Sequence, residues 1–396
     1  MATTSAPAAK PSRDPCPWNP EARLLRWLTL IWVVLGLAML FSASYPVAQR
    51  ITGDGLYFFK RQLIWVGLGA FSFLALVQIP LRRWFPWAGI LCLLGIGLVW
   101  ATHVPGLGVS RLEASRWLDL KVIPIIQPSE FLKPLLVLQG AWVFGRWFYH
   151  PLWFRCVWVS IFAVGLLGIL TQPNLGTTAI CGLTLWMMAW TAGIPALTLF
   201  GTAGLGAAAA ALSILSKEYQ RRRILAFLDP WASAQGDGYQ LVQSLLAIGS
   251  GGLWGKGYGL SQQKLFYLPI QYTDFIFSVF AEEFGLVGSL SFLGLLTLYS
   301  GVGLRVMLRC QELPIRLVAC GCVVFLVGQS LLNIGVVTGA LPTTGVPLPL
   351  FSHGGSSILA GLMMAGLLVR SARESGYAGI QEWRKPPTRE CLMNVH

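Results

Sequence analysis

Five charged residues lie within otherwise apolar stretches of this chain: Glu130, Lys133, Asp274, Glu282 and Glu283. A charge in such surroundings is costly and marks a functional candidate by default. Glu130 and Lys133 belong to Gln127-Pro128-Ser129-Glu130-Phe131-Leu132-Lys133. Their i,i+3 spacing puts both on one face of a helix, and Ser129 is expected to cap it. They read either as a self-neutralising pair that packs helices or as an anion and a cation lining a cavity, with Lys133 available to a phosphate. Asp274 opens a long apolar run in Tyr272-Thr273-Asp274-Phe275. As a first-turn acid it would be stabilised by the helix dipole, which lowers its pKa and keeps it ionised. As a site residue, its carboxylate could take a proton from a substrate hydroxyl at the water–lipid boundary. Glu282 and Glu283 point about 100° apart on a helix. They cannot both face one cavity equally, so at least one is expected to pair with another helix, and both read as structural.

The elements that carry these residues follow from composition. The chain of 396 residues is 55% hydrophobic and 11% charged, with mean hydropathy +0.63. Soluble domains are about 25% charged. A soluble fold of this length could not bury so much apolar surface. Cytosolic enzymes, nucleic-acid-binding domains and disordered chains are excluded, leaving an all-α polytopic membrane protein. A spanning helix needs about 20 mostly apolar residues. Ten segments qualify: about 24–44, 62–79, 84–104, 129–145, 154–172, 174–193, 195–216, 274–306, 317–340 and 356–372. Residues 1–23 read as a flexible tail, 24–373 as the membrane domain and 374–396 as a second tail.

The net charge of +13 comes from basic residues scattered in ones to threes, not from a clustered nucleic-acid patch. With the N-terminus inside, sixteen basic residues fall in inner segments and six (Arg50, Lys60, Arg61, Arg111, Arg116 and Lys121) in short outer loops. The positive-inside rule then places both termini in the cytoplasm. Three outer segments are long and irregular: 105–128, 217–273 and 341–355. A site built from them would face outward. Within 217–273, the stretch 241–248 has helical apolar spacing and could lie at the membrane interface. None of the eight cysteines falls in an outer loop, so no structural disulfide is expected. The phosphate-loop pattern fails around Gly255-Lys256, because Ser250 and Gly257 stand at required positions. The four histidines show no metal spacing.

Four groups of motifs together resemble the SEDS proteins (shape, elongation, division and sporulation). They are Arg116-Trp117-Leu118 with Gln127 through Lys133; Gln172-Pro173-Asn174-Leu175-Gly176-Thr177; Gly236-Asp237-Gly238-Tyr239-Gln240 with Thr273-Asp274-Phe275-Ile276-Phe277; and Leu341-Pro342-Thr343-Thr344-Gly345 through Gly354-Gly355-Ser356-Ser357. The resemblance covers about residues 24–373. It implies ten membrane helices and a peptidoglycan glycosyltransferase that polymerises lipid II, releasing undecaprenyl pyrophosphate, on the outer face of the bacterial cytoplasmic membrane. It puts the family's essential aspartate on Asp274 and its conserved Glu and Lys on Glu130 and Lys133. Two positions depart from the family pattern. Tyr272 stands where His is usual, and His353 stands where Tyr is usual. Gln262-Gln263-Lys264-Leu265, the following Tyr267-Leu268-Pro269 and Leu341-Pro342-Thr343 look like the division (FtsW) branch more than the elongation (RodA) branch, which implies work at the division septum.

On this reading Asp274 is the base, and Lys133 and Arg116 stabilise the departing pyrophosphate. A divalent cation could share that role, although no ligand cluster supports a permanent one. The resemblance implies a class B penicillin-binding transpeptidase and other membrane proteins of the division complex as partners. Competing readings are a lipid II flippase, expected to open its charges to the inner face, and a non-catalytic division scaffold, expected to tolerate neutral changes at Asp274.

Overall fold

A computed structural model describes residues 18–111, 114–118 and 126–384. Most of the first expected tail, the last 12 residues of the second, Cys16, Lys121 and Cys391 lie outside the described residues. The first helix starts within the first tail: Asn19 caps it by accepting the Ala22 amide at 2.8 Å.

α1 (Pro20–Thr52), α2 (Tyr57–Gln78) and α3 (Leu81–Ala101) lead into a hairpin of β1 (Gly108–Arg111) and β2 (Ala114–Leu118). α4 (Pro128–Gly145), α5 (Leu152–Thr171), α6 (Leu175–Thr191) and α7 (Ala196–Ser216) follow. The segment expected as one large loop, 217–273, contains α8 (Glu218–Leu228) and α9 (Tyr239–Gly251). α10 (Ile276–Arg309), α11 (Leu313–Val323), α12 (Gln329–Val337) and α13 (Gly355–Arg384) complete the chain. Helix occupies each of the ten expected apolar segments. Among the described residues eight stretches, one of them α11 with α12, are long and apolar enough to cross a membrane. The other two expected segments are α6, at 17 residues, and α4, which carries the Glu130–Lys133 pair in its first turns.

α4, α11 and α13 form the centre, with α1, α2, α3, α6 and α10 packed around them. The buried Arg370 and Arg373 of α13 tie neighbouring helix ends together. Arg370 donates to the carbonyls of Val77 and Gln78, both at 3.2 Å, and Arg373 to Val77 at 2.9 Å, at the C-terminus of α2. Glu374 accepts from Arg370 and from the Leu81 amide that opens α3. Cations at helix C-termini and acids at N-termini satisfy orphan backbone groups and match the dipole.

Four local outcomes differ from the sequence reading. The hairpin is a small exception to an all-α fold. Ser129 does not cap α4: Pro128 opens the helix with Gln127 as its unassisted cap, because proline's fixed φ suits the first helical position. The long segment from 274 is broken rather than merely long. Gly285 adopts φ 65° and ψ −162°, and a Cβ there would lie 2.3 Å from the Gly255 nitrogen. Residues 252–257 pass through this break. Lys256 and Gly257 donate to the carbonyls of Glu282 and Glu283, while Leu286 and Val287 donate to Gly252 and Leu253. Irregular backbone in an apolar setting persists where protein satisfies its polar groups, as it does here. α9, expected near an interface, packs against α10 and α12. Its Ser244 hydroxyl lies 2.6 Å from both Ser278 Oγ and the Val337 carbonyl.

The adjacent glutamates serve the same segment. Glu282 accepts from Lys256 at 2.7 Å, from Ser261, and from the amides of Gln262 and Gln263. Glu283 accepts from Ser42 of α1 at 2.6 Å and from the buried Lys264 at 2.8 Å. Both are structural, as read from the sequence. Removing one partner of a buried pair strands the other charge and costs about 3–5 kcal/mol. Glu283→Ala is therefore expected to lower the unfolding free energy by roughly that amount, measured by denaturant titration in detergent micelles. An unchanged value would contradict the role assigned to the pair.

Candidate active site

A cavity of about 540 Å³ opens where α2, β2, α8, the segment 269–275 and the segment 345–357 converge. Asp274 is the one carboxylate among its lining residues, and Arg61, Arg116 and Arg223 are its cations. Among the described residues none of the three arginines makes a salt bridge. The cavity therefore carries excess positive charge beside a single acid.

Asp274 is not the cap of α10; Phe275 holds that position. Its segment is fastened to the 341–354 segment instead. Asn333 of α12 donates to the Asp274 carbonyl at 2.7 Å and to the Val346 carbonyl at 2.9 Å. Ser352 donates to the Thr273 carbonyl at 2.7 Å, and the His353 amide donates to Tyr272 at 2.9 Å. The carboxylate is thereby left over for the cavity. Gly345, at φ 69°, marks the point of convergence. A Cβ there would lie 3.4 Å from Asp274 Oδ2, 3.7 Å from Arg223 Nη1 and 3.9 Å from Arg116 Nη1. A side chain would be strained by the positive φ and would intrude among the three charged groups.

Arg116 and Arg223 are aimed by backbone carbonyls. Arg116 Nε donates to Gln172 at 3.2 Å and Nη2 to Pro173 at 2.6 Å. The Gln172 side chain is itself fixed by Thr102 and the Val99 carbonyl. This explains why Arg116 and the Gln-Pro-Asn segment occur together. Arg223 donates to the Thr343 carbonyl at 3.1 Å and stacks over the Tyr219 ring at 4.4 Å. Neither guanidinium is spent on a carboxylate, so both remain available to an anion.

The sequence leaves the Glu130–Lys133 pair open to a packing role and to a cavity-lining role. Both side chains are buried, and neither lines the main cavity. Lys133 Nζ contacts Glu130 Oε1 at 2.7 Å and Gln329 Oε1 at 2.8 Å. Gln329 follows a π turn at Val324–Gly328, a distortion common at functional sites. Two of the ammonium's three donors are taken by these helix-packing partners, and the pair borders a small separate cavity together with Gln329 and Ser357. Glu130 still acts on Asp274 through its charge.

The two departures from the family pattern meet in space. The rings of Tyr272 and His353 pack edge to face at 5.6 Å, and Phe58 stacks on Tyr272 at 4.7 Å. An imidazole is therefore present in the cavity, supplied by the other segment. Burial and the charge of Arg61 depress His353 to about 4, so it is neutral at pH 7.

The sequence reading missed Arg223, Arg61, Gln329 and Asn333. The run Arg221-Arg222-Arg223 is the visible signal for the first. The six cysteines among the described residues are free, five of them buried.

The fold defines a multi-pass membrane protein with a cationic cavity roofed by its connecting segments. The model of the FtsW/RodA/SpoVE family, described as cell cycle protein, matches residues 22–377. The chain belongs to that family, the one its motifs resemble. It is 54% identical to the probable peptidoglycan glycosyltransferase FtsW of Synechocystis sp. over 368 residues, 92% of each chain. It is 47% identical to the putative peptidoglycan glycosyltransferase FtsW of Mesostigma viride, over 90% of this chain and 86% of that one. A solved structure described as "Structural coordination of polymerization and crosslinking by a peptidoglycan synthase complex" aligns with TM-score 0.72 at 28% identity, covering 89% of this chain and 98% of that one.

Burial raises the Asp274 pKa above its ordinary 3.8, opposed by Arg223 and then Arg116, with Glu130 adding to the rise. This reverses the expected lowering by a helix dipole, because the carboxyl precedes α10 in a half-buried setting. Removing a cation removes part of the opposition. Arg223→Gln is expected to shift the Asp274 titration to higher pH, read from the carboxylic C=O infrared band that Asp274→Asn abolishes. A shift to lower pH would contradict the geometry.

Proposed function

We propose that the chain is a peptidoglycan glycosyltransferase that polymerises lipid II at the outer face of the cytoplasmic membrane during division, releasing undecaprenyl pyrophosphate. The observation that carries this reading is the convergence of Asp274, Arg116 and Arg223 around Gly345, a single base between two unpaired guanidiniums. The names of the relatives at 54% and 47% identity support the same activity.

The reaction joins two lipid-linked sugars. Asp274 takes the proton of the acceptor hydroxyl, whose oxygen forms a bond to the donor's anomeric carbon. The bond from that carbon to the donor's diphosphate breaks, and the diphosphate leaves with the electron pair. A carboxylate whose pKa is raised toward the working pH is a stronger base while still ionised. Arg116 and Arg223 neutralise the charge that develops on the leaving group, an interaction that strengthens toward the transition state. Lys133 and Glu130 act at one remove, holding α4 against α12 beneath the site. Among the described residues no three His, Cys, Asp or Glu side chains cluster. A divalent cation, if bound, would be held by Asp274 and would supply added positive charge to the departing diphosphate.

Several observations support the setting. The excess of basic residues in the alternate segments favours cytoplasmic termini, with the cavity outward. The aligned structure, described as coordinating polymerization and crosslinking, supports a crosslinking partner; on this reading that partner is a class B penicillin-binding transpeptidase, alongside other division-complex membrane proteins at the septum.

Purified full chain in detergent, supplied with lipid II with and without a class B transpeptidase, is expected to form glycan polymer. Asp274→Asn is expected to lose about 10²–10⁴-fold in rate, the usual worth of a general base. Polymer formation by that variant at the wild-type rate would contradict the base assignment. A wild-type chain that makes no polymer under either condition would favour a flippase or scaffold.

A further inference from the structure

The proposed reaction holds two substrates at once, and each carries a diphosphate. The donor loses its diphosphate beside Asp274. The acceptor keeps its own, a disaccharide's length from the hydroxyl that attacks. The cavity's positive groups divide in the same way. Arg116 and Arg223 are the cations that act on Asp274. Arg61 of α2 acts on His353, whose ring rests against Tyr272. Among the described residues Arg61 makes no salt bridge; its one polar contact is the Tyr57 hydroxyl at 3.5 Å.

Next to Arg61 and His353 the first turn of α13 borders the cavity. The Gly354 amide is taken by Gln62 Oε1, and Ile358 donates back to Gly354. The amides of Gly355, Ser356 and Ser357 between them have no hydrogen-bond partner among the described residues. Free amides at the start of a 30-residue helix, with its dipole, are suited to an anion. Ser357 provides a second, independent indication. It is 8% exposed, it lines the cavity, and its hydroxyl makes no hydrogen bond. The hydroxyl oxygen stays open to the cavity, where a ligand can reach it. Ser356, by contrast, is engaged, accepting the Gln127 amide at 3.0 Å.

We propose that Arg61, Ser357 and the free amides of α13 form a second anion subsite, which binds the diphosphate that the acceptor substrate retains. Arg116 and Arg223 then serve the leaving diphosphate alone. No bond to the acceptor's diphosphate forms or breaks, so this subsite sets affinity and register and leaves the chemical step untouched. The inference rests on the glycosyltransferase reading.

The test compares wild type, Arg61→Gln and Arg61→Lys in polymerisation by the full chain. One arm varies lipid II. The other uses lipid II as donor and an acceptor whose diphosphate is replaced by a neutral linker. Arg61→Gln is expected to raise the KM for lipid II about tenfold, a modest charge-assisted contact, with kcat little changed. Arg61→Lys should recover most of that loss. The neutral-linked acceptor should be used equally well by wild type and Arg61→Gln, which also reports that the variant is folded. An unchanged KM, a fall in kcat alone, or an equal loss with both acceptors would overturn the subsite. Absence of polymer from the wild-type chain would instead overturn the parent reading, and the subsite with it.

Discussion

A charge or a free amide in an apolar environment can bond only to other protein groups, and this constraint organises the whole molecule. Lys133 is neutralised by Glu130 and held by Gln329 from another helix. Lys264 meets Glu283 and Ser42, and Lys256 meets Glu282. Where α10 breaks at Gly285, residues 252–257 replace the lost helical bonds with their own backbone. Each of these groups is completed by the chain itself.

Against that background the unpaired groups stand apart. Asp274, Arg61, Arg116 and Arg223 share one cavity and form no ion pairs among the described residues. The Arg116 and Arg223 guanidiniums are steered by carbonyls, and Asn333, Ser352 and His353 hold the backbone on which Asp274 sits. Such preorganisation suits a reaction in which negative charge moves onto a leaving diphosphate, because the dipoles are in place before the charge arrives. The glutamates eight and nine residues beyond Asp274 belong to the same device, since they anchor the segment that leads into it.

Much of this was legible from residue types. Ten apolar runs specified the helices, because the hydrocarbon requirement acts locally along the chain. The scarcity of charge in those runs isolated Asp274, and the family motifs tied it to Arg116. Pairing across the chain was not legible. The i,i+3 spacing of Glu130 and Lys133 leaves a packing role and a phosphate role equally open, and nothing near it announces Gln329, which engages Lys133 from 196 residues away. Arg223 does not stand out among the scattered basic residues because nothing in its neighbours announces the Thr343 carbonyl. The exchange of Tyr272 and His353 became interpretable only when their rings were found in contact. The direction of the Asp274 titration was misjudged because burial depends on how separate segments close over it.

The central claim is that Asp274 moves a proton while Arg116 and Arg223 bind the diphosphate. Equilibrium binding of undecaprenyl pyrophosphate to the purified protein separates these roles. The account predicts that Asp274→Asn binds this product at least as tightly as wild type, since a repelling charge is gone. It predicts that the Arg116→Gln and Arg223→Gln double variant binds it more weakly. Weaker binding by Asp274→Asn, with the arginine variant unaffected, would contradict the account.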